Sequence, residues 1–449
     1  MPIPETVSSA SETPPHADVV IVGGGIVGAA AALELAERGQ RVVLCEKGII
    51  GGEQSSRNWG WIRLSHRDPR EMPMMLAAMD LWHGLNERVG ADTGFRTCGI
   101  TYGCATPRDV EAMRPWADIQ REHGIPAEMV SAETALSRYP GLKVPLAGAM
   151  YNPADGRAEP TLVTSAIAKA AQRHGATILQ NCAVRGVETS AGRVSAVVTE
   201  TGRIACNSVL VAGGVWSRLF LGNLGINLPQ LRVQNSVLRV GPVDGETPDA
   251  TIKTRDFTLR RQLDGGYVVA GVLANRTEIL PDAIRLARLF LPSLRNEWRE
   301  LNLNFGPAFL RDARVPRRWR LDAPSPFETT RILDPEPDRK RTDKLLANLQ
   351  AAYPVFRGAQ VAERWGGMID VMPDAIPVIS PTEQVRNGIP GLHVASGFSG
   401  HGFGLGPAAG RLTAQMILGE PSIVDPRPFR LSRFTDGERI APIGGVSRR

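Results

Sequence analysis

The sequence predicts an α/β fold in which a doubly wound domain is interleaved with an α+β domain built on an antiparallel sheet. Three observations support this prediction. Near the start, a glycine-rich turn joins an apolar run to an Ala-rich helical stretch. Residues 233–272 alternate between apolar and polar, which is typical of antiparallel strands. Residues 392–418 again suggest a strand, a glycine-rich turn and a helix.

The first turn has the glycine spacing of a Rossmann-type nucleotide site. Gly23, Gly25 and Gly28 separate the apolar residues 19–22 from the helical residues 29–36. In such a site the first glycine permits a sharp turn, the second lets a pyrophosphate approach the backbone, and the third lets the helix pack on the strand. The free N–H groups at the helix start then face the phosphates.

A second apolar run, residues 42–44, leads to Glu46, which we expect to accept hydrogen bonds from ribose hydroxyls. The alternative is an ordinary turn between a strand and a helix. That alternative gives no reason for three consecutive glycines, which weaken a helix start. The context therefore favours dinucleotide binding.

Composition restricts the class of protein. The 449 residues are 43% hydrophobic and 22% charged, as in soluble globular proteins of about two domains. The N-terminal residues lack the basic start and apolar stretch of a secretory signal. Because they are rich in Pro, Ser and Thr, we expect residues 1–16 to be a disordered tail. No apolar stretch reaches the roughly 18–20 residues of a membrane span.

The cysteines indicate a reducing compartment, and we expect a cytoplasmic protein. Their number is odd and no pair is spaced as CxxC, so neither a disulfide framework nor a zinc site is indicated. Cys98 and Cys104 could face each other across a hairpin, or all five could be buried thiols. The five are Cys45, Cys98, Cys104, Cys182 and Cys206.

Two features of the sequence are compatible with peripheral contact at the inner face of the membrane. Residues 283–301 are amphipathic and interrupted by Pro292, which suits either a pair of core helices or surface attachment. The net charge is +6, and no motif suggests nucleic acid. An arginine cluster is either a solvated face or a patch for anionic lipid, an acidic partner or an acidic substrate; it comprises Arg311, Arg314, Arg317, Arg318 and Arg320.

The order of elements predicts how the two domains share the chain. We assign 17–70, 145–225 and 362–449 to the nucleotide-binding domain, and 71–144 and 226–361 to a substrate-binding domain. Helical spacing predicts helices at 71–87, 107–123, 131–139 and 160–174. A hairpin is expected at 183–200, and a buried strand at 208–212.

Six stretches in order carry a family resemblance. They are the first glycine motif with Glu46, GEQSSRNWGWIR (52–63), DGRAEP (155–160), VLVAGGVWS (209–217), RWGGMIDVMPDAIPVIS (364–380) and GFSGHGFGLGPAAG (397–410). Together they resemble the FAD-dependent amine and amino-acid oxidoreductases, typified by D-amino acid oxidase, glycine oxidase and sarcosine oxidase. The resemblance covers nearly the whole chain and implies an FAD-binding domain and an α+β substrate domain.

The resemblance also implies which residues hold FAD. The glycines at 400–406 would let the backbone lie against the flavin, and the helix start would stabilise the negative charge of the reduced ring. Trp59 and Trp61 either pack or wall the ring. The expected FAD-binding residues are Gly23, Gly25, Ile26, Val27, Gly28, Glu46, Lys47, Ser55, Ser56, Arg57, Asn58, Trp59, Gly60, Val184, Ala212, Gly213, Trp216, Gly367, Gly400, His401, Gly402, Phe403 and Gly404.

The substrate implied is an amine or amino acid, but its anchor differs from the family pattern. Glycine oxidase and D-amino acid oxidase clamp the substrate carboxylate with arginine in a Gly-x-Arg-Pro turn, where this chain has Ile369. The stretch is closer to the sarcosine and dimethylglycine branch. His401 is either structural or placed near the flavin or substrate. Other candidates for the substrate site are Arg63, Arg260, Arg261, Arg364 and Tyr267.

We expect the FAD to be non-covalent. No cysteine follows Cys206, and residues 52–63 contain no histidine, so both family attachment points are missing. The expected reaction passes a hydride from the substrate α-carbon to flavin N5 and leaves an imine that hydrolyses. Oxygen, or a quinone or dye, would then take the electrons. The alternatives are a nicotinamide-dependent Rossmann enzyme and a membrane-docked or electron-transfer flavoprotein.

Overall fold

The computed structural model describes residues 2–245, 247–271, 275–297, 302–438 and 440. Its strands, numbered in chain order, are β1 Val19–Val22, β2 Val42–Cys45, β3 Trp61–Ile62, β4 Arg96–Thr97, β5 Ile100–Cys104, β6 Glu128–Val130, β7 Gly148–Asn152, β8 Gly156–Arg157, β9 Thr177–Leu179, β10 Val184–Ser190, β11 Arg193–Thr199, β12 Arg203–Ala205, β13 Ser208–Val211, β14 Leu231–Val240, β15 Thr251–Lys253, β16 Thr258–Arg261, β17 Tyr267–Ala270, β18 Asn275–Glu278, β19 Leu303–Asn304, β20 Val361–Val371, β21 Val378–Pro381 and β22 Leu392–Ser396.

The helices follow the predicted apolar spacing, and the expected helix at 71–87 is divided at Gly84. Short 3-10 helices lie at Gly214–Trp216, Pro354–Phe356, Arg427–Phe429 and Leu431–Phe434. The α-helices are α1 Ile26–Glu37, α2 Gln54–Arg57, α3 Met72–His83, α4 Leu85–Val89, α5 Pro107–Glu122, α6 Ala132–Ser137, α7 Pro160–Arg173, α8 Ser217–Asn223, α9 Pro281–Arg285, α10 Ala287–Glu297, α11 Pro307–Ala313, α12 Pro326–Thr329, α13 Arg339–Ala352 and α14 Gly402–Leu418.

A six-stranded sheet forms the nucleotide-binding half, in the order β21-β22-β13-β1-β2-β9. Its strands run parallel except for β21, which pairs antiparallel with β22 at one edge. The β1 run Val-Val-Ile-Val is β-branched and its first three residues are buried, as expected for a strand covered on both faces. Helix α1 packs against α7 and α14, so both ends of the chain meet at this sheet. The predicted α/β architecture is confirmed.

A larger mixed sheet forms the second half, in the order β19-β18-β14-β17-β16-β15-β5-β7-β6, with β20 paired to β14. The turn at 263–266 joins β16 to β17, as the alternating pattern predicted; Val272, the end of that pattern, lies outside the described residues. Strands β7 and β20 belong to this sheet, although the sequence placed 145–225 and most of β20 in the nucleotide domain. The partner of β20, β14, lies more than a hundred residues earlier in the chain, so local patterns could not assign β20 to this sheet.

The first residues, expected as a disordered tail, instead pack on the nucleotide-binding half. Val7 is 3% exposed. The Glu5 amide donates to the Thr161 carbonyl at 3.0 Å, and the Ala10 amide donates to the Ile178 carbonyl at 2.8 Å. These contacts satisfy backbone groups and remove an apolar side chain from water, which their polar composition did not indicate.

Residues 281–297 form helices α9 and α10, but the first of the two interpretations, a pair of core helices, fits this region poorly. The break falls at Leu286 rather than at Pro292, which lies inside α10. Several apolar side chains face water, and Phe305 is 69% exposed. Trp298 and Leu301, counted in the sequence pattern, lie outside the described residues. In the described part of the chain no helix is long and apolar enough to cross a bilayer.

All five cysteines are free thiols. Cys104 is the last residue of β5 and Cys98 lies two residues before this strand, so the two do not lie on the two arms of a hairpin. Within the arginine cluster, Arg317 pairs with Asp312 at 2.6 Å and Arg320 pairs with Asp322 at 2.5 Å. Part of this cluster is therefore neutralised locally.

Candidate functional site

The turn between β1 and α1 is packed too closely for side chains at Gly23 and Gly28. Gly23 has φ +110°, and a Cβ there would lie 2.5 Å from the carbonyl oxygen of Ala212. A Cβ on Gly28 would overlap the Gly23 carbonyl. Gly25 is the N-cap of α1 and lines a cavity. The three glycines thus build a close-packed turn with an open face, which suits a pyrophosphate.

Glu46 follows β2 and lies beside this turn. Its Oε2 accepts from the Gly24 amide at 2.7 Å, and its Oε1 accepts from the Gly48 amide at 2.8 Å. Burial raises the pKa of this carboxyl above its ordinary value, whereas Lys47 and the two amides oppose the rise. Carboxylate oxygens accept more than one hydrogen bond, so Glu46 can hold the turn and still accept from a ribose.

The stretch 52–63 brings backbone and side chains along the same cavity. Ser55 Oγ accepts from the Ile26 amide at 2.9 Å, which attaches the stretch to the start of α1. Arg57 donates to Asp334 at 2.6 Å and to the Gly366 carbonyl at 3.0 Å, so it braces this stretch against β20. Asn58 Oδ1 accepts from the Gly60 amide at 2.8 Å.

Aromatic rings continue from this stretch into the cavity. Trp59 and Trp61 meet edge to face at 5.6 Å between ring centroids, and Tyr102 packs on Trp61 at 6.1 Å. The Trp59 indole donates to Asn235 Oδ1 at 3.1 Å. All four residues line the cavity, which favours the expectation that the two tryptophans wall a ligand.

The start of α14 is held on two sides. Asp370 Oδ2 accepts from the Gly397 amide at 2.8 Å, which fixes the loop ahead of the helix. The buried Trp82 indole of α3 donates to the Gly404 carbonyl at 2.8 Å. His401, the N-cap residue, lines the cavity, and its Nδ1 lies 2.8 Å from Glu71 Oε2. The glycine loop therefore reaches the cavity with a fixed orientation.

One cavity of about 500 Å³ joins the two glycine turns. Of the residues expected from the sequence, it brings together Gly23, Gly25, Ile26, Val27, Glu46, Lys47, Ser55, Arg57, Asn58, Trp59, Arg63, Val184, Ala212, Gly213, Trp216, Gly367, Gly400, His401, Gly402, Phe403 and Gly404. Gly28, Ser56, Gly60, Arg260, Arg261 and Tyr267 are not among its lining residues.

Most side chains considered for a substrate carboxylate are engaged elsewhere. Arg260 is buried and donates to Glu159 at 2.9 Å. Arg364 pairs with Asp343, and the Tyr267 hydroxyl donates to Thr247. Among these candidates Arg63 does line the cavity, where its Nη1 also donates to the carbonyls of Ser65 and His66 at 2.5 and 3.0 Å.

Sequence reasoning missed several polar residues of the cavity. They come from segments without a motif, so no local signal marked them; they are His66, Arg67, Tyr102, Asn235, Lys253 and Asn275. Burial lowers the pKa of Arg67 to about 10, with a further lowering by the nearby Arg63 charge. Arg67 and Lys253 give the cavity a positively charged part, which suits an anionic group.

Asp155, from the DGRAEP stretch, supports the loop that carries Arg63 and Arg67. It accepts from the Leu64 amide at 2.6 Å and from Ser65 Oγ at 2.6 Å, and Asn152 donates to it at 2.9 Å. Burial raises the pKa of this carboxyl to about 6, although the hydrogen bonds from Ser65 and Leu64 oppose the rise. The stretch thus positions the site without lining the cavity.

A second cavity, of about 1090 Å³, adjoins the first, since His66, Trp216, Met368, Ser399 and His401 line both. Its wall is largely apolar and includes side chains of the segment 279–315. This arrangement provides an apolar approach to the inner cavity.

Comparison with known proteins decides the family. The family model described as "DAO: FAD dependent oxidoreductase" matches residues 18–416, nearly the whole chain. The chain belongs to this family. It is therefore an FAD-dependent oxidoreductase, and the site fits FAD at both glycine turns. The nicotinamide alternative is set aside, and the family resemblance read from the six stretches is confirmed.

Individual relatives agree with this assignment. The L-amino acid deaminase of Proteus myxofaciens, solved with anthranilate, is 34% identical with a TM-score of 0.91, covering 96% of both chains. The L-amino acid deaminase of Proteus vulgaris is 30% identical with a TM-score of 0.90, covering 96% of this chain and 100% of its own. Sarcosine oxidase subunit beta of Arthrobacter is 25% identical, covering 99% of this chain and 97% of the relative.

Other curated relatives are longer. The 4-methylaminobutanoate oxidase of Paenarthrobacter nicotinovorans is 25% identical over 96% of this chain, which spans 47% of that protein. The mouse mitochondrial dimethylglycine dehydrogenase is matched over 46% of its length. The chain thus spans about half the length of these relatives.

Proposed function

We propose that the protein oxidises the C–N bond of an L-amino acid or an N-methyl amino acid. The observation that carries the proposal is that one cavity joins both glycine turns. Part of this cavity, here called the chamber, has aromatic walls and positive charge and is lined by Trp59, Trp61, Tyr102, Arg63 and Lys253. Bound FAD supplies a two-electron acceptor at its N5 atom. The substrate loses a hydride from its α-carbon, and the resulting imine hydrolyses to a carbonyl compound and an amine or ammonia.

The side chains of this chamber suit an amino acid rather than a simple amine. Trp59, Trp61 and Tyr102 can enclose the substrate and exclude water. Arg63 and Lys253 supply positive charge for the carboxylate, since a guanidinium or ammonium group binds a carboxylate strongly away from water. L-amino acids come first because two L-amino acid deaminases resemble nearly the whole chain.

The proposal is tested on purified protein reconstituted with FAD. We expect a flavin absorption spectrum that bleaches anaerobically in a stopped-flow instrument when a substrate is added. The panel contains L-amino acids, their D enantiomers as matched controls, and sarcosine and N,N-dimethylglycine. Protein that binds FAD but is not bleached by any of these compounds contradicts the proposed substrate class. Colourless protein that FAD cannot reconstitute contradicts the cofactor site.

A specific observation also supports contact with a membrane surface. Exposed apolar side chains cluster in one segment, where Ile284 is 63%, Phe305 69% and Leu310 59% exposed. Arginines are interspersed among them. Apolar side chains enter the interface while arginines attract anionic headgroups, so the segment suits a peripheral contact. Such a contact would allow a quinone to take the electrons, with oxygen or a dye as the alternative acceptor.

A further inference from the structure

Glu71 and His401 form a buried pair beside the cavity. They lie 330 residues apart in the chain, and His401 Nδ1 is 2.8 Å from Glu71 Oε2. The Glu71 side chain is fully buried, whereas the His401 side chain retains 19% exposure. One end of the pair is therefore sealed in the protein, and the other faces the place where a ligand would bind.

The carboxylate determines which nitrogen of the imidazole carries hydrogen. An ionised carboxylate only accepts hydrogen bonds, so Nδ1 must donate and Nε2 keeps its lone pair. Three charged groups, Arg63, Arg67 and Glu71, act on His401. Although burial raises the pKa of the Glu71 carboxyl, His401 and both arginines together bring it below its ordinary value. Glu71 thus remains ionised at neutral pH.

The imidazole itself is held neutral. Burial lowers the pKa of His401 below its ordinary value, the two arginines lower it further, and Glu71 opposes both effects. Arg67 lies 3.7 Å from Glu71 and its Nε donates to the Arg63 carbonyl at 3.1 Å, so the loop and the pair form one cluster. A neutral imidazole with a fixed tautomer and a lone pair on Nε2, in a residue that lines the cavity, is equipped to accept a proton.

We propose that Glu71 is a positioning residue that fixes His401 as the proton acceptor for the ammonium group of the substrate. The inference rests on the proposed function. An amine nitrogen must lose a proton before its α-carbon can give up a hydride. In this step an N–H bond of the ammonium breaks and an Nε2–H bond forms. The positive charge moves to the imidazolium, where the Glu71 carboxylate offsets it, and the proton later leaves to solvent.

The first test measures the tautomer without catalysis. Protein labelled with nitrogen-15 histidine and reconstituted with FAD is examined by NMR, and His401→Gln identifies the His401 signals. We expect a protonated Nδ1 and a non-protonated Nε2 in the native protein. Glu71→Gln should produce a mixture of tautomers, because an amide can donate as well as accept. A native protein with Nε2 protonated and Nδ1 bare overturns the proposal.

The second test is the pH profile of kcat/KM for one L-amino acid substrate. Glu71→Gln should move the acid limb about one pH unit lower, because the imidazole loses the charge that raises its pKa. The plateau should fall about tenfold to a hundredfold, because His401 becomes a weaker base. In a His401→Gln background, Glu71→Gln should change neither the position of the acid limb nor the height of the plateau. An acid limb that Glu71→Gln leaves in place overturns the proposal.

Glu34 provides a matched control. It is also buried and ion-paired, with Arg38 at 2.7 Å and Arg411 of α14 at 3.0 Å, but it does not line the cavity. Glu34→Gln should lower stability without moving the acid limb or the His401 tautomer. If Glu71→Gln fails to fold, the native tautomer still decides the proposal. If no amine bleaches the flavin, the proposed function fails, while the NMR result still decides the role of Glu71.

Discussion

At the scale of single residues, Gly23 offers the sharpest test of the nucleotide turn. Gly23→Ala adds a Cβ 2.5 Å from the Ala212 carbonyl oxygen at a positive φ, so the backbone must move where the pyrophosphate would bind. We expect FAD affinity to fall by at least about tenfold, or 1.4 kcal/mol. Quenching of FAD fluorescence on titration measures this change.

Gly39 controls for the strain of a positive φ alone. Its φ is +75°, and a Cβ there would meet no atom within 4 Å. Gly39→Ala should cost about 1 kcal/mol of stability and leave FAD affinity unchanged. Equal losses of affinity in the two variants would contradict a specific role for the Gly23 turn.

Arg63 is the arginine we expect to bind the substrate carboxylate. Arg63→Gln should raise KM by about tenfold to a hundredfold, because a hydrogen bond to a charged group contributes about 1.5–3 kcal/mol. Arg261→Gln is the matched control, since Arg261 does not line the cavity. Steady-state kinetics with an L-amino acid measures both variants. An unchanged KM in Arg63→Gln would show that another cation binds the carboxylate, and Lys253 would be the next residue to replace.

Asp155 makes stability depend on pH in a stated direction. Its pKa is raised by burial from 3.8 to about 6, so the folded state binds a proton that the unfolded state has already released between these values. Stability should therefore fall as pH rises from 4 to 6, by an amount on the order of 3 kcal/mol for two pKa units. Asp155→Asn should remove this part of the slope.

Chemical unfolding at pH 4, 5 and 6 measures the difference between the native protein and Asp155→Asn. Asp282 is the control of opposite sign. Arginines 218, 285 and 317 overcome the effect of burial and lower its pKa to about 2, so it stays ionised throughout this range. Asp282→Asn should lower stability at all three pH values, slightly less at pH 4 than at pH 5 and 6, because the unfolded carboxyl is still partly protonated at pH 4. Parallel curves for native protein and Asp155→Asn would contradict the assignment of this titration to Asp155.

At the scale of elements, the exposed apolar side chains of Ile284, Phe305 and Leu310 predict membrane binding. Native protein should sediment with phosphatidylglycerol vesicles at low salt and less at high salt, because salt screens the arginines. Replacing Ile284, Phe305 and Leu310 together by serine should weaken binding at least about tenfold, since each buried apolar side chain contributes about 1.5–3 kcal/mol. Leu263→Ser, at an exposed leucine elsewhere, should have no effect. Native protein that stays in solution would exclude this contact.

The elements also show where sequence patterns are sufficient. The β1-α1-β2 unit was predictable because its glycines, apolar runs and helix are contiguous. Strand β20 was not, because its pairing with β14 depends on residues more than a hundred positions away. The same limit applies to the site: a motif marked His401, but nothing near Glu71 indicated that it would contact this histidine. Arg260 and Arg63 were equivalent candidates for the substrate carboxylate in the sequence. The structure distinguishes them, because Arg260 is buried against Glu159 whereas Arg63 lines the cavity.

At the scale of the whole molecule, FAD should couple the two ends of the chain. The cavity takes residues from the first glycine turn, from α14 and from the large sheet, so unfolding of any of the three would release the ligand. A ligand that binds only the folded state stabilises it by about 2.7 kcal/mol at a concentration of 100 times its dissociation constant. The melting temperature of protein stripped of FAD should therefore rise with added FAD.

Each further tenfold of FAD should add about 1.4 kcal/mol, because the stabilisation grows with the logarithm of concentration. Adenosine monophosphate and riboflavin phosphate are the matched half-ligands, and each should stabilise less than FAD, since each reaches one of the two turns. Acid precipitation should leave the yellow colour in the supernatant, because the family's attachment cysteine and histidine are both missing. Colour that stays in the pellet would show a covalent bond. A half-ligand as effective as FAD would show that the two turns do not act on one ligand.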